Sequence, residues 1–264
     1  MNRKFYLILP SNSSMDLYNN KTSSFRVNLS KAIKLDVEKY EVGLAELQFP
    51  VTWYNVREGK NVIKLIETIS VQPSQYFDNS KPKPHIKSTS KDVKIPAGYY
   101  HDVGDIIREL HKVESKVKFE FQNLPQKTSI TLPKNMVLDW NGSDIADCLG
   151  FDPAKQIKNS SSLSENISST QNCYKNIYVY TDIIQNQYVG DVQVPLLRIV
   201  PVNKSYGEMC CIRFDKPFFV PLNRNFVDCI KIDLRDDRGE LISFMSGKSS
   251  ATLLFKRKVA KFFD

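Results

Sequence analysis

The chain has 264 residues and a mass of 30.4 kDa, enough for one large domain or two small ones. Charged residues make up 25%, hydrophobic 41% and aromatic 11%, ordinary values for a folded protein that exclude wholesale disorder and collagen-like repeats. The formal net charge of +8 favours anionic partners without bearing on fold, while 10 Gly and 3 His leave few residues for phosphate-cradling loops or a His-rich metal centre.

Residues 4–9 read as the first strand. Their apolar run is five residues long and ends at Pro10. That is too short for a signal-peptide core or a bilayer span, and no later stretch approaches 18 apolar residues. The expectation is a soluble protein made in the cytosol, with no membrane partner. Residues 11–24 form a polar loop rich in Ser and Asn. In 24–29, Phe25, Val27 and Leu29 alternate with Arg26 and Asn28, as in a half-buried strand. Residues 40–49 alternate again. Val42, Leu44, Glu46 and Gln48 lie on one face and Gly43, Ala45, Leu47 and Phe49 on the other, and Pro50 is expected to break the ladder.

The middle of the chain changes character. Residues 61–71 suggest a strand pair. Residues 73–94 carry Lys81, Lys83, Lys87, Lys91 and Lys94 with Pro82 and Pro84, and read as an exposed loop. A helix follows, with Asp102 as its N-cap. Val103, Ile106, Ile107, Leu110 and Val113 fall on one apolar stripe. Residues 116–121 and 129–132 suggest a hairpin, and 144–149 a second, short helix closed by Gly150. Residues 158–171, rich in Ser and Asn, read as a linker.

The last third returns to strands, at 176–184, 195–202, 208–214, 218–222, 226–234, 241–244 and 251–256. The DDRG run at 236–239 supplies a hairpin turn. Strands at this spacing suggest an antiparallel sandwich or jelly roll. The expected fold is therefore mainly β: a single jelly-roll β-sandwich from 1–57 and 172–264, interrupted by a small inserted α+β domain at 58–171. There is no internal repeat.

Catalytic constellations are missing from the sequence. It holds no G-x-G-x-x-G, Walker loop, G-x-S-x-G or H-E-x-x-H. His85 sits in the lysine-rich stretch. His101 and His111 are about 280° apart in helical phase and do not share a face. The scarcity of His argues against a cupin-type metal enzyme built on the same sandwich. The five cysteines (Cys148, Cys173, Cys210, Cys211, Cys229) form no C-x-x-C pair and read as reduced thiols. Cys210 and Cys211 should point to opposite faces of a strand. Asp233, Asp236, Asp237 and Glu240, interrupted by Arg235 and Arg238, read as turn chemistry rather than a cation site.

The remaining candidates lie on surfaces. Lys256, Arg257, Lys258 and Lys261 make a basic C-terminal tail, either a solvated terminus or a contact to nucleic acid or a partner protein. Asp182 and Asp191 bracket a loop containing Asn186, as caps at the sandwich rim or as contacts to a neighbouring subunit. Trp53, Tyr54, Tyr99 and Tyr100 are either ligand-stacking residues or core and junction residues. If they stack on ligand, the protein is a jelly-roll binding module recognising a receptor or glycan through the inserted domain.

Three stretches carry a further signal: FYLILPSNSSMDLYNNKTSSFRVNLS (5–30), IYVYTDIIQNQYVGDVQVPLLRIVPV (177–202) and FFVPLNRNFVDCIKIDLRDDRGELISF (218–244). Together they resemble the minor capsid, or penton, proteins of Polinton (Maverick) elements and related virophage-like viruses. The resemblance covers both ends of the chain and departs across 58–171. It implies a single jelly roll that forms homopentamers at the fivefold vertices of an icosahedral capsid. It also implies contact with double jelly-roll major capsid trimers, an insertion projecting outward, and neither enzymatic activity nor a cofactor. The implied location is the virion capsid, with the basic tail a candidate for touching genomic DNA.

Overall fold

Alternating apolar residues become paired strands in both halves of the chain. The computed structural model describes residues 4–71, 85–158, 160–171 and 174–258. Strands β1 (Lys4–Pro10), β2 (Ser24–Lys34) and β3 (Tyr40–Pro50) come first. Then follow β4 (Val62–Val71), β5 (His85–Lys94), helix α1 (Val103–Val113), β6 (Lys118–Gln122), β7 (Lys127–Thr131) and β8 (Met136–Asp139). Helix α2 (Asp144–Leu149), β9 (Gln156–Ile157) and β10 (Ser161–Leu163) complete the middle. The last third holds β11 (Asn176–Thr181), β12 (Gln187–Val189), β13 (Val192–Val194), β14 (Leu196–Pro201) and β15 (Met209–Arg213). It ends with β16 (Val220–Pro221), β17 (Phe226–Arg235) and β18 (Ser250–Arg257). The chain divides into two compact units, Met1–Trp53 with Tyr174–Asp264, and Tyr54–Cys173. No helix among the described residues is long and apolar enough to cross a membrane.

In the first unit the strands pair from the outside in. β1 pairs with β18, β2 with β17, β3 with β15, and β11 with β14, all antiparallel. This nesting yields one sheet ordered β1-β18-β3-β15, with β16 also beside β3, and a second ordered β14-β11-β17-β2. That arrangement is a jelly roll. Its core is built from inward residues of both sheets, among them Phe25, Val179, Ile230, Ile232, Leu253 and Phe255, all buried. Each fully buried side chain of this size contributes about 1.5–3 kcal/mol relative to exposure.

Strand β3 departs from simple alternation. The pairing with β18 shifts register between Thr252 and Leu253, so that Ala45 is the extra residue on β3. A bulge of this kind flips the phase of every residue beyond it. Val42 and Leu44 before it and Leu47 and Phe49 after it therefore all face the core. The two faces expected for 40–49 are merged into one. Pro50 does not break the ladder either. It is the last residue of β3, opposite Met209.

In the second unit, β5-β4-β8-β9 form one sheet and β10-β7-β6 another. They pack with α1 and α2 around Ile63, Leu65, Ile106, Leu110, Leu138 and Trp140. Asp102 caps α1 as expected, accepting from the Asp105 amide at 2.9 Å, and Val103, Ile106, Ile107 and Leu110 are its buried face. Gly150 ends α2 at φ +82, and a Cβ there would meet the Asn166 carbonyl oxygen at 2.4 Å, so only glycine fits.

Two expectations for the middle need correction. Residues 62–71 are one strand, not a pair, and its partner is His85–Lys94 from within the stretch read as a loop. Residues 73–84 lie outside the described residues. β5 escaped notice because it is a sheet edge whose residues 87–94 are exposed apart from buried Val93, so it needs no apolar alternation. Nor is 158–171 a free linker. Ser161–Leu163 pairs with β7, and Ser168 Oγ donates to the Leu149 carbonyl at 2.7 Å and lies 2.8 Å from Thr128 Oγ1. Its Ser residues satisfy buried backbone and hydroxyl groups, which composition alone makes look like disorder. In the first unit, 241–244 forms only isolated bridges, and 218–222 contracts to Val220–Pro221.

Candidate functional site

The ionisable side chains are used as fasteners. Among the described residues there is no group of three or more His, Cys, Asp or Glu side chains that could hold a metal. His111 is exposed and accepts a hydrogen bond from the Phe119 amide at 3.1 Å, tying α1 to β6. Asp233 is buried, and burial pushes its carboxyl up. Hydrogen bonds from Arg235, Ser24 and Lys231 outweigh that and hold it below the usual carboxylate range. Asp236 accepts from the Arg238 and Glu240 amides and closes the turn it was expected to make. Cys210 is buried and Cys211 exposed, as strand alternation requires. Trp53 is buried against Phe49, Phe244 and Tyr174, with ring centroids at 6.4, 5.7 and 5.2 Å, so it is a core residue of the first unit. Tyr100 is part-buried, and its hydroxyl donates to the Pro96 carbonyl.

The C-terminal basic residues are largely built into the sandwich. Lys256 and Arg257 belong to β18, opposite Glu41 and Tyr40. The Lys256 ammonium lies 3.2 Å from the Glu41 carboxylate and 3.7 Å from the centroid of the Phe219 ring. Lys258 bonds back to the 35–39 turn, its amide to the Lys39 carbonyl and its ammonium to that of Val37. Lys261 lies outside the described residues.

The rim residues divide in two. Asp182 is engaged within its own unit: one carboxylate oxygen is 3.0 Å from Arg224 Nη2 and the other accepts from the Lys231 amide at 2.8 Å. Asn186 and Asp191 are exposed. They sit at the root and tip of the β12–β13 hairpin, whose strands pair Tyr188 with Gln193. Tyr188 on that hairpin is 81% exposed. The hairpin's base is held by the Gln185 amide donating to the Pro221 carbonyl and by Asn223 Nδ2 donating to the carbonyls of Asp182 and Ile184.

Two features have no counterpart in the expectations. The first is a groove of about 660 Å³ at one end of the sandwich, with Lys34, Lys39 and Arg257 around Leu35, Tyr40 and Phe226. Phe226 is 60% exposed, with the Lys34 ammonium 5.7 Å from its ring centroid. The second is Arg198. It pairs with Val179 on the inward face of its sheet, yet carries a charge. Its guanidinium lies between the rings of Phe214 and Phe218, at 3.9 and 4.0 Å from their centroids. Burial lowers its pKa, and its Nη1 has no hydrogen-bond partner among the described residues. The signal was present: Arg198 is two residues before buried Val200 and so shares its face.

No protein-family model and no curated protein matches this sequence. Solved structures do show similarity. One is the crystal structure of the selenomethionine-labelled mavirus penton protein, with a TM-score of 0.50 and 13% identity, covering 97% of this chain and 100% of that one. Another is a chain in the cryo-EM structure of the Sputnik virophage, with a TM-score of 0.46, 11% identity and coverage of 98% and 99%. From end to end, the chain shares its fold with the mavirus penton protein.

Proposed function

We propose that this protein is a structural virion component, a minor capsid or penton protein whose homopentamers close the fivefold vertices of an icosahedral capsid. The observation that carries the reading is the nested jelly roll with its sequence-continuous second unit, matched over its whole length by a penton fold. A jelly roll suits the task because its paired sheets leave both flanks and both loop ends free for lateral contacts. On this reading the partners are further copies of the same chain and a double jelly-roll major capsid protein, and the protein has no catalytic role. The second unit projects outward as an inserted domain. Exposed apolar residues on the outward side of edge strand β1, Tyr6 at 57% and Ile8 at 66%, add surface for such contacts.

Of the basic C-terminal residues, Lys258 and Lys261 are then the ones offered to genomic DNA or the major capsid protein. Because Lys256 and Arg257 are part of β18, deleting 256–264 also damages the fold, and charge removal is the cleaner test. Lys258→Gln with Lys261→Gln should reduce DNA retention in particles and flatten its salt dependence. Mass photometry tests the main reading: purified chain, alone or mixed with the major capsid protein, should give pentamers. Monomer under both conditions at micromolar concentration would refute it.

A further inference from the structure

The first unit carries an exposed hairpin and a recess of opposite character. β2, β17, β11 and β14 are antiparallel neighbours. The C-terminal end of β2, the start of β17, the end of β11 and the start of β14 therefore lie at one end of this sheet. The groove is built at the β2 and β17 corner of that end. The β12–β13 hairpin leaves from β11 and returns into β14 at the same end, on the opposite side of the sheet. Across the four strands the two features are about three strand spacings apart, on the order of 14 Å, and the end of β11 at Thr181 lies level with Ile232, six residues along β17 from Phe226. Two different patches on opposite flanks are the requirement for a heterologous contact that closes a ring.

The two patches also match in chemistry. The hairpin presents one carboxylate, exposed Asp191, together with Tyr188 and Val192, 81% and 51% exposed. The groove presents an apolar floor under cations. Asp36 also lines the groove, 2.7 Å from Lys39 and close enough to Arg257 to feel its charge. Lys34 and Arg257 have no salt-bridge partner among the described residues. An exposed tyrosine on a braced hairpin is a low-entropy anchor of the type that dominates interfaces, and the bracing comes from Asp182, Arg224 and Asn223.

We propose that the β12–β13 hairpin of one copy seats in this groove of the next copy, with Tyr188 against Phe226 and Asp191 facing Lys34 and Arg257. The proposal rests on the homopentamer reading and names its contact. Tyr188 is too exposed to matter for folding, so Tyr188→Ala should leave the urea midpoint unchanged. The same variant should weaken assembly at least about tenfold in native mass spectrometry over a concentration series. Asp191→Lys should weaken it too, and Asp191→Lys combined with Arg257→Glu should recover part of the loss, a rescue that no fold defect would give. Pentamers that are unaffected by Tyr188→Ala and Asp191→Lys overturn this contact and leave the pentamer reading standing. Loss of pentamers on truncation after Lys258, with the hairpin variants intact, assigns the groove to the chain's own residues 259–264 and likewise overturns the contact. Monomer from the wild-type chain, alone and with the major capsid protein, overturns contact and reading together.

Discussion

Gly43→Ala tests the packing that brings the outer loop of the sandwich down onto its central strand. Gly43 faces outward from β3, between inward Val42 and Leu44, and residues 217–218 cross directly over it. A Cβ at this position would lie 2.6 Å from the Phe218 carbonyl oxygen and 3.0 Å from Pro217 Cβ. Ordinary contact begins at 3.4 Å, so backbone must move by about 0.8 Å. Overpacking of this kind costs about 1–3 kcal/mol. Against it stands the gain from replacing glycine, about 0.4–1 kcal/mol through the unfolded chain. The clash wins, and the net loss should be on the order of 1 kcal/mol. At an m-value of about 2 kcal/mol/M that lowers the urea midpoint by about 0.5 M, with m unchanged. The displacement has a second consequence, because Phe218 is one of the two rings stacked on Arg198. Gly43→Ala and Arg198→Ala should therefore be non-additive, with a coupling of at least about 0.5 kcal/mol. Gly98, where an added Cβ meets nothing within 4 Å, is the control, and Gly98→Ala should be neutral or slightly stabilising. A Gly43→Ala midpoint at or above wild type would refute the close approach and the reasoning built on it.

Other consequences follow from single contacts. Arg198→Ala removes stacking on two aromatic rings and should cost about 1–2 kcal/mol in chemical denaturation; an unchanged midpoint would mean the guanidinium is not held there. In the second unit, Arg57 Nε and Nη2 contact the two carboxylate oxygens of buried Asp144 at 2.9 and 2.8 Å. Arg57→Ala leaves that carboxylate buried without its main counter-charge. The expected loss is about 3 kcal/mol, seen as faster amide exchange in α2, and native-like protection there would contradict it. The carboxyls of Asp233, Glu46 and Glu114 are all held below their ordinary range. For Glu46 the cause is the Arg213 hydrogen bond and for Glu114 that from Lys91. A depressed carboxyl contributes stability that is complete above the unfolded pKa, near 4, and is lost as pH falls through the folded value. The melting temperature should hold down to about pH 5 and then fall, less steeply in Asp233→Asn. An equal slope in that variant would remove Asp233 from the account.

The strands were legible where one face is buried and the other wet, as in 24–29 and 226–234, because alternation then writes the pleat into the sequence. It fails at Ala45, where one extra residue exchanges the faces and only the partner strand reveals it. It fails also at β5, an edge strand with little to bury. The nesting of β1 with β18 and β2 with β17 rests on pairs 192 to 252 residues apart, which local pattern does not encode. Sites divide the same way. Asn186 and Asp191 fall in the stretch between the strands expected at 176–184 and 195–202, but nothing in the sequence marks Tyr188 between them as an exposed side chain on a hairpin. The groove is assembled from residues 34–40, 225–226 and 257, and no spacing brings these together. Asp182, grouped with Asp191 by proximity in sequence, turned out to brace the hairpin's base.

The central claim is that this jelly roll closes a fivefold ring. Electron microscopy of the purified assembly, or of particles formed with the major capsid protein, measures the symmetry directly. The account predicts a ring of five copies, about 152 kDa from a 30.4 kDa chain, with the end of each sandwich that carries the groove meeting the hairpin of its neighbour. Isolated single copies, or a closed assembly of any other order, would contradict it.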